Sequence, residues 1–210
     1  MNKHTQRYTF PKKTITVFAV IISIVVLMGF SFNDESMISN AGKQAINTDS
    51  VESVAAFMQV YKVLMSPRCM NCHPAGDVPL QGDDSHLHNM LPQRGKQGKG
   101  IYAMKCANCH QPENTIGLHT PPGNPDWHLP PANMKMVFQG KTANQLAKQL
   151  VDKKTNGNKT LQQLIEHADD GLVKAGWHPG EGRTLPPMSY EAFKKAWITW
   201  ITTGAHAPKP

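Results

Sequence analysis

Residues 69–73 read CMNCH and residues 106–110 read CANCH, so the pattern C-x-x-C-H occurs twice in a chain of 210 residues. Two cysteines three positions apart on a helical turn can reach both vinyl groups of one haem, and the histidine that follows then lies under the ring. The sequence therefore predicts two covalently bound c-type haems with His73 and His110 as the proximal iron ligands. The thioethers take up all four cysteines of the chain: Cys69, Cys72, Cys106 and Cys109.

Three other uses of paired cysteines fit the sequence less well. A four-cysteine zinc site has two C-x-x-C pairs, but 33 residues separate Cys72 from Cys106, more than the usual spacing of about 15–20, and zinc does not require a histidine after each pair. A thioredoxin-like redox pair would lie in a βαβ context, which the sequence lacks. Disulfides within C-x-x-C pairs would link only close neighbours in the chain.

The second axial ligand of each iron is not fixed by the motifs. His88 lies in a loop between the motifs and is predicted to bind one iron, of either haem, while His86 and Met90 beside it are predicted bystanders. His128 or Met136 is predicted for the other iron, because both lie in the stiff apolar segment PDWHLPPANMKM. The remaining candidates outside the motifs include His119, Met134, His167, His178, Met188 and His206. Of these, Met188 lies in a Pro-rich loop like that of many mono-haem cytochromes c, and His167 is interpreted as a packing or surface residue.

The N-terminal part predicts export. Residues 15–30 are uncharged and apolar, and as a helix they would span about 24 Å, slightly less than a hydrocarbon core of about 30 Å. Basic residues precede this run and Asp34 and Glu35 follow it, which predicts a cytoplasmic N-terminus and an exported C-terminal part. We expect residues 1–32 to be an uncleaved membrane anchor, with a cleaved signal peptide as the alternative. The remainder would then lie on the periplasmic side of the bacterial inner membrane, or be soluble in the periplasm after cleavage.

The rest of the chain is predicted to be an all-α, compact dihaem cytochrome c-like fold. Residues 33–49 are predicted to be a polar tether, and residues 50–210 the dihaem domain. The predicted N-caps are Asp49 or Ser50, Thr142, Thr160 and Ser189. Phe193, Ala196, Trp197, Trp200 and Ile201 form an apolar stripe with helical spacing. Long irregular loops are expected to pack around the haems, between helices over 51–65, 99–110, 143–154, 161–176 and 190–203.

The net charge of +7 does not favour a nucleic-acid partner. Four of the basic residues precede the apolar run, where they set membrane orientation, and haem propionates would offset the remaining excess.

Residues 69–90, CMNCHPAGDVPLQGDDSHLHNM, and the segment from Arg94 to Gly140 are similar to a family of small exported dihaem cytochromes c. Its members are often labelled as the cytochrome subunit of isoquinoline 1-oxidoreductase-type molybdenum hydroxylases, and the similarity covers about residues 55–208. The segments carrying His88, His119, His128 and Met136 recur in that family. The resemblance implies an electron acceptor or relay, with a molybdenum hydroxylase-type donor and a respiratory acceptor as redox partners.

One-electron transfer, without a catalytic residue, is the function that the sequence favours. The alternative is an enzyme, a dihaem peroxidase with one open iron, although the motifs are too close together for two full cytochrome domains. A haem-based sensor is disfavoured because no signalling segment follows the haem motifs.

Overall fold

The computed structural model describes residues 34–210, and the predicted apolar anchor within residues 1–32 therefore lies outside the described residues. The chain divides into two compact units, Met1–Thr48 and Asp49–Pro210. The packing described below is that of the second unit. In the part of the chain that the structure describes, no helix is both long enough and apolar enough to cross a membrane.

Helix α1 extends from Asp34 to Leu64, so residues 34–49, predicted as a tether, are helical. The predicted start at Asp49 or Ser50 is therefore wrong. The stretch is polar, but it contains no proline and only one glycine, Gly42, and its alanine, lysine and glutamine residues are good helix formers. The helix ends as predicted before Ser66 and Pro67, and the short helix α2, Pro67–Met70, leads into the first motif.

The core lies where α1 meets the helices of the C-terminal half. These are α3, Ala143–Val151; α4, Leu161–His167; α5, Gly171–Ala175; and α6, Tyr190–Thr202. Phe57 of α1 and Trp200 of α6 are fully buried, with ring centroids 4.7 Å apart. The Ser53 hydroxyl donates to the Trp200 carbonyl oxygen at 3.0 Å. The predicted apolar stripe of the last helix is confirmed, because Phe193, Trp197, Trp200 and Ile201 are buried.

The predicted helix caps in the C-terminal half are confirmed. Thr142 and Thr160 each form a complete capping box, and the Ser189 hydroxyl accepts from the Ala192 amide. The helix predicted over 161–176 is instead two helices, α4 and α5. The break occurs because the Asp170 carboxylate accepts from the Leu172 amide at 2.8 Å and so begins a new helix.

The helix predicted over residues 99–110 is wrong. Strands β3, Gly100–Ile101, and β4, Met104–Lys105, form an antiparallel hairpin, followed by a 3₁₀ turn at Cys106–Asn108. Gly100 has a φ of 87°, and a Cβ there would lie 2.4 Å from the Met104 carbonyl oxygen. This close approach requires glycine and turns the chain back on itself.

A second ribbon pairs β1, Leu80–Gln81, with β2, His86–Leu87. The described residues thus combine helices with two small antiparallel ribbons that the sequence did not predict. The all-α class stays a prediction.

Candidate haem sites at the two CxxCH motifs

The first motif begins within α2, which follows α1. It ends in His73, whose ring is held by two contacts with a distant segment of the chain. Tight turns close the motif, since the Cys72 amide donates to the Cys69 carbonyl at 3.2 Å. His73 Nδ1 lies 2.7 Å from the carbonyl oxygen of Met136. The His73 ring stacks on Phe138 with centroids 3.9 Å apart and an interplanar angle of 9°. Both contacts bring a segment more than 60 residues away in sequence against the imidazole.

The second motif has the same arrangement with different partners. His110 Nδ1 lies 2.7 Å from the carbonyl oxygen of Pro122. Its ring stacks on Trp127, with centroids 4.0 Å apart and an angle of 7° between planes. A carbonyl oxygen can only accept, so Nδ1 carries the proton in both histidines and Nε2 keeps its lone pair. Each imidazole is thereby fixed in the tautomer and orientation that a metal ligand requires.

Desolvation dominates the electrostatics of the first motif. Burial lowers the pKa of His73 to about 4, against the opposing effect of its hydrogen bond to Met136. Burial also raises the pKa of Cys69 to about 12 and that of Cys72 to about 11. The pKa of His110 is lowered, again mainly by burial. Both proximal histidines are therefore neutral near pH 7, the state that binds iron.

His88, a predicted distal ligand, lies near His110. The two ring centroids are 6.5 Å apart and the rings are inclined at 68°. Two imidazoles that bind one metal from opposite sides, each through a nitrogen about 2 Å from it, have centroids about 6 Å apart. The separation therefore fits one iron held between His88 and His110. His88 is thus placed with the second motif and not with the motif that is nearer in sequence.

His88 is less prepared for ligation than the proximal histidines. Its Nδ1 accepts a long contact of 3.3 Å from the Met90 amide, which puts the proton on Nε2. Binding iron through Nε2 moves that proton to Nδ1 and ends this contact. The neighbouring His86 instead faces Asp84, with Nδ1 and the carboxylate 2.6 Å apart, in agreement with its interpretation as a bystander.

The other two predicted distal ligands lie elsewhere. Met136 accepts from His73 through its carbonyl, on the far side of the imidazole from Nε2, and its sulfur lies 3.2 Å from Gln149 Nε2. His128 Nδ1 contacts the Asp126 carbonyl, next to Trp127 in the chain. His128 therefore belongs to the segment that supports the second motif. In the part of the chain that the structure describes, neither His128 nor Met136 has a hydrogen bond on the Nε2 side of His73. Their assignment stays a prediction.

The loops that carry the two motifs are connected. Burial is the main cause of the raised pKa of Cys72, and the thiol of Cys106 in the other motif adds to it. The loops that follow the two motifs are joined by Arg94, which is 1% exposed. Its guanidinium donates to the carbonyl oxygens of Gly76, at 3.0 Å, and Pro130, at 2.6 Å.

Sequence reasoning missed several parts of this site. The carbonyl acceptors carry no sequence signal, because every residue has a carbonyl. Arg94 lies in the glycine-rich stretch RGKQGKG, where an arginine surrounded by glycines could have indicated a buried backbone contact. Trp127 was noted as a stiff apolar wall, but its stacking on His110 was not predicted.

The residues present fit two haems better than the alternatives. All four cysteines are free, as thioether formation requires. Among the described residues, no three side chains of His, Cys, Asp or Glu converge on one point.

Several apolar side chains before and after the second motif are exposed, as is typical of a surface that contacts a ligand or a partner. Tyr102 is 96% exposed and Ile116 is 95% exposed. Further exposed apolar side chains in the same part of the chain are Leu87, Met90, Leu91, Ile101 and Leu118.

No protein-family model, curated protein or solved structure matches this chain. A functional assignment therefore depends on the motifs and on the geometry around them.

Proposed function

We propose that the protein is a dihaem c-type cytochrome that transfers single electrons between partner oxidoreductases. The observation that carries the proposal is the twin geometry of His73 and His110. Each follows a C-x-x-C pair, donates from Nδ1 to a backbone carbonyl at 2.7 Å and stacks on an aromatic ring. Two unrelated segments of chain thus prepare two imidazoles for the same task, and each motif has the cysteines needed for covalent attachment.

The haems would supply one-electron chemistry by cycling between Fe(III) and Fe(II). The chain holds and orients the ligands. The four thiols would anchor the cofactors, and the carbonyls of Met136 and Pro122 hold the proximal imidazoles in one tautomer. His88 would supply the second axial ligand at the second motif, where its ring lies 6.5 Å from that of His110. A site closed on both faces by protein ligands favours electron transfer over binding of a substrate to the metal.

The exported location, the N-terminal anchor and the partners are proposed with this function. The thioether chemistry and the basic, apolar N-terminal sequence support a location on the periplasmic side of the inner membrane. A molybdenum hydroxylase-type donor and a respiratory acceptor are proposed from the resemblance of the motif region alone.

The test is haem stoichiometry combined with ligand binding, on protein produced in a host that matures c-type cytochromes. We expect two covalent haems per chain, rapid reversible reduction at both and no turnover of hydrogen peroxide. Replacing Cys69 and Cys72 with serine should remove one haem, and replacing Cys106 and Cys109 should remove the other. A chain that binds zinc in place of haem refutes the proposal. Peroxide turnover at one haem would instead support the dihaem peroxidase.

A further inference from the structure

Arg94 is a buried cation between the two haem-attachment segments. It is 1% exposed, and its guanidinium donates to Pro130 O at 2.6 Å and to Gly76 O at 3.0 Å. Its main chain is held as well, since the Arg94 amide donates to Asp77 O at 2.7 Å and its carbonyl accepts from Gly100 at 3.0 Å. The residue therefore links the loop that follows the first motif to the hairpin that precedes the second.

The charge of Arg94 is only partly compensated. Its Nε lies 3.5 Å from the Asp77 carboxylate, without hydrogen-bond geometry. That carboxylate is half exposed and is shared with Lys135, whose Nζ is 2.9 Å away. A guanidinium remains protonated in proteins, and a buried charge acts through a lower dielectric than a surface charge. Arg94 therefore creates a positive electrostatic potential in the interior of the protein.

Arg94 lies beside the first motif. Its guanidinium donates to Gly76 O, three residues after His73, and its amide donates to Asp77 O. The buried cation is therefore attached to the loop that directly follows the proximal histidine.

The second motif has its own cation, Arg183. Its guanidinium donates to Thr120 O at 2.7 Å and to Pro179 O at 3.1 Å. Thr120 lies two residues before Pro122, whose carbonyl accepts from His110.

Building on the dihaem function proposed above, we propose that the buried charge of Arg94 raises the reduction potential of the haem attached at Cys69 and Cys72. Reduction adds one negative charge to that site, and a buried cation nearby stabilises the reduced state. His88 and His110 provide two imidazoles at the second site, which favours a lower potential there than a thioether ligand would.

The test is spectroelectrochemical titration of the haem-loaded protein and of Arg94→Gln, Arg94→Lys and Asp77→Asn. Arg94→Gln should reduce the ratio of reduced to oxidised haem at the first site about tenfold at a fixed potential, which is a shift of about 59 mV for one electron. Arg94→Lys keeps the charge and should recover most of this ratio. Asp77→Asn removes the opposing negative charge, so the reduction potential of the first haem, measured as its wave in the titration, should rise.

The matched control is Arg183→Gln, which should move the wave of the second haem and leave that of the first. His88→Ala identifies which wave belongs to the second haem. Equal movement of both waves in Arg94→Gln, or the same direction of shift in Arg94→Gln and Asp77→Asn, overturns the inference. If Arg94→Gln fails to accumulate, Asp77→Asn and Arg94→Lys decide the question: a raised potential of the first haem in Asp77→Asn with a nearly unchanged one in Arg94→Lys supports the inference, and an unchanged potential in Asp77→Asn overturns it. Two unshifted waves on two haems would defeat this inference alone, whereas a chain without haem would defeat the proposed function.

Discussion

Replacing His88 with alanine should open the iron of one haem and leave the other unchanged. The rings of His88 and His110 are 6.5 Å apart, a separation that leaves room for one metal between two nitrogens. Alanine at residue 88 removes the nitrogen on one side of that metal and leaves the contacts of His110 with Pro122 and Trp127 in place. Because only one of two haems is affected, half of the low-spin haem signal should convert to high spin. The reduced variant should then bind about one CO per chain.

The assay is magnetic circular dichroism of the oxidised protein, followed by CO titration of the reduced protein. His86→Ala is the matched control, since His86 lies two residues away, is exposed and contacts Asp84. This control should keep the low-spin spectrum and bind no more CO than the parent protein. The prediction is refuted if His88→Ala retains two low-spin haems, or if His86→Ala has the same effect. Loss of the haem attached at Cys69 and Cys72 would also contradict the assignment of His88 to the second motif.

Three further predictions concern the helical core and its surface. Phe57→Ala removes a fully buried ring that contacts Trp200 and should lower the free energy of unfolding by about 3–5 kcal/mol in a guanidinium titration. Thr142→Ala removes the capping box of α3 and should cost about 1 kcal/mol in the same assay, whereas Thr142→Ser should cost little. The pKa of Asp169 is lowered to about 2, first by its hydrogen bond from Lys194. Because this folded-state pKa lies below the unfolded value, Asp169 stabilises the protein above about pH 4, and the contribution is lost as the pH falls towards 2. Asp169→Asn should therefore be less stable than the parent at neutral pH, and the difference should shrink in acid; a constant difference across this range would contradict the linkage.

The helices show how far local sequence determined the fold. Thr142, Thr160 and Ser189 were identifiable as N-caps because a side-chain oxygen beside its own helix is a local signal. A helix was wrongly predicted over residues 99–110 because the apolar and polar residues there fit a short helix. Gly100, like Gly95 and Gly98 before it, instead adopts a left-handed backbone conformation, which a pattern of side chains does not reveal.

The two C-x-x-C-H motifs were determined by the sequence alone, because cysteine and histidine must be neighbours in the chain to attach and ligate one haem. The placement of His88 near His110 was decided only by the tertiary structure, since 21 residues of loop and hairpin separate them in sequence. The same holds for the Met136 and Pro122 carbonyls and for the buried charge of Arg94. Backbone acceptors are identical at every position, and the depth of a charge depends on what packs over it. These features therefore become visible only when the chain is folded.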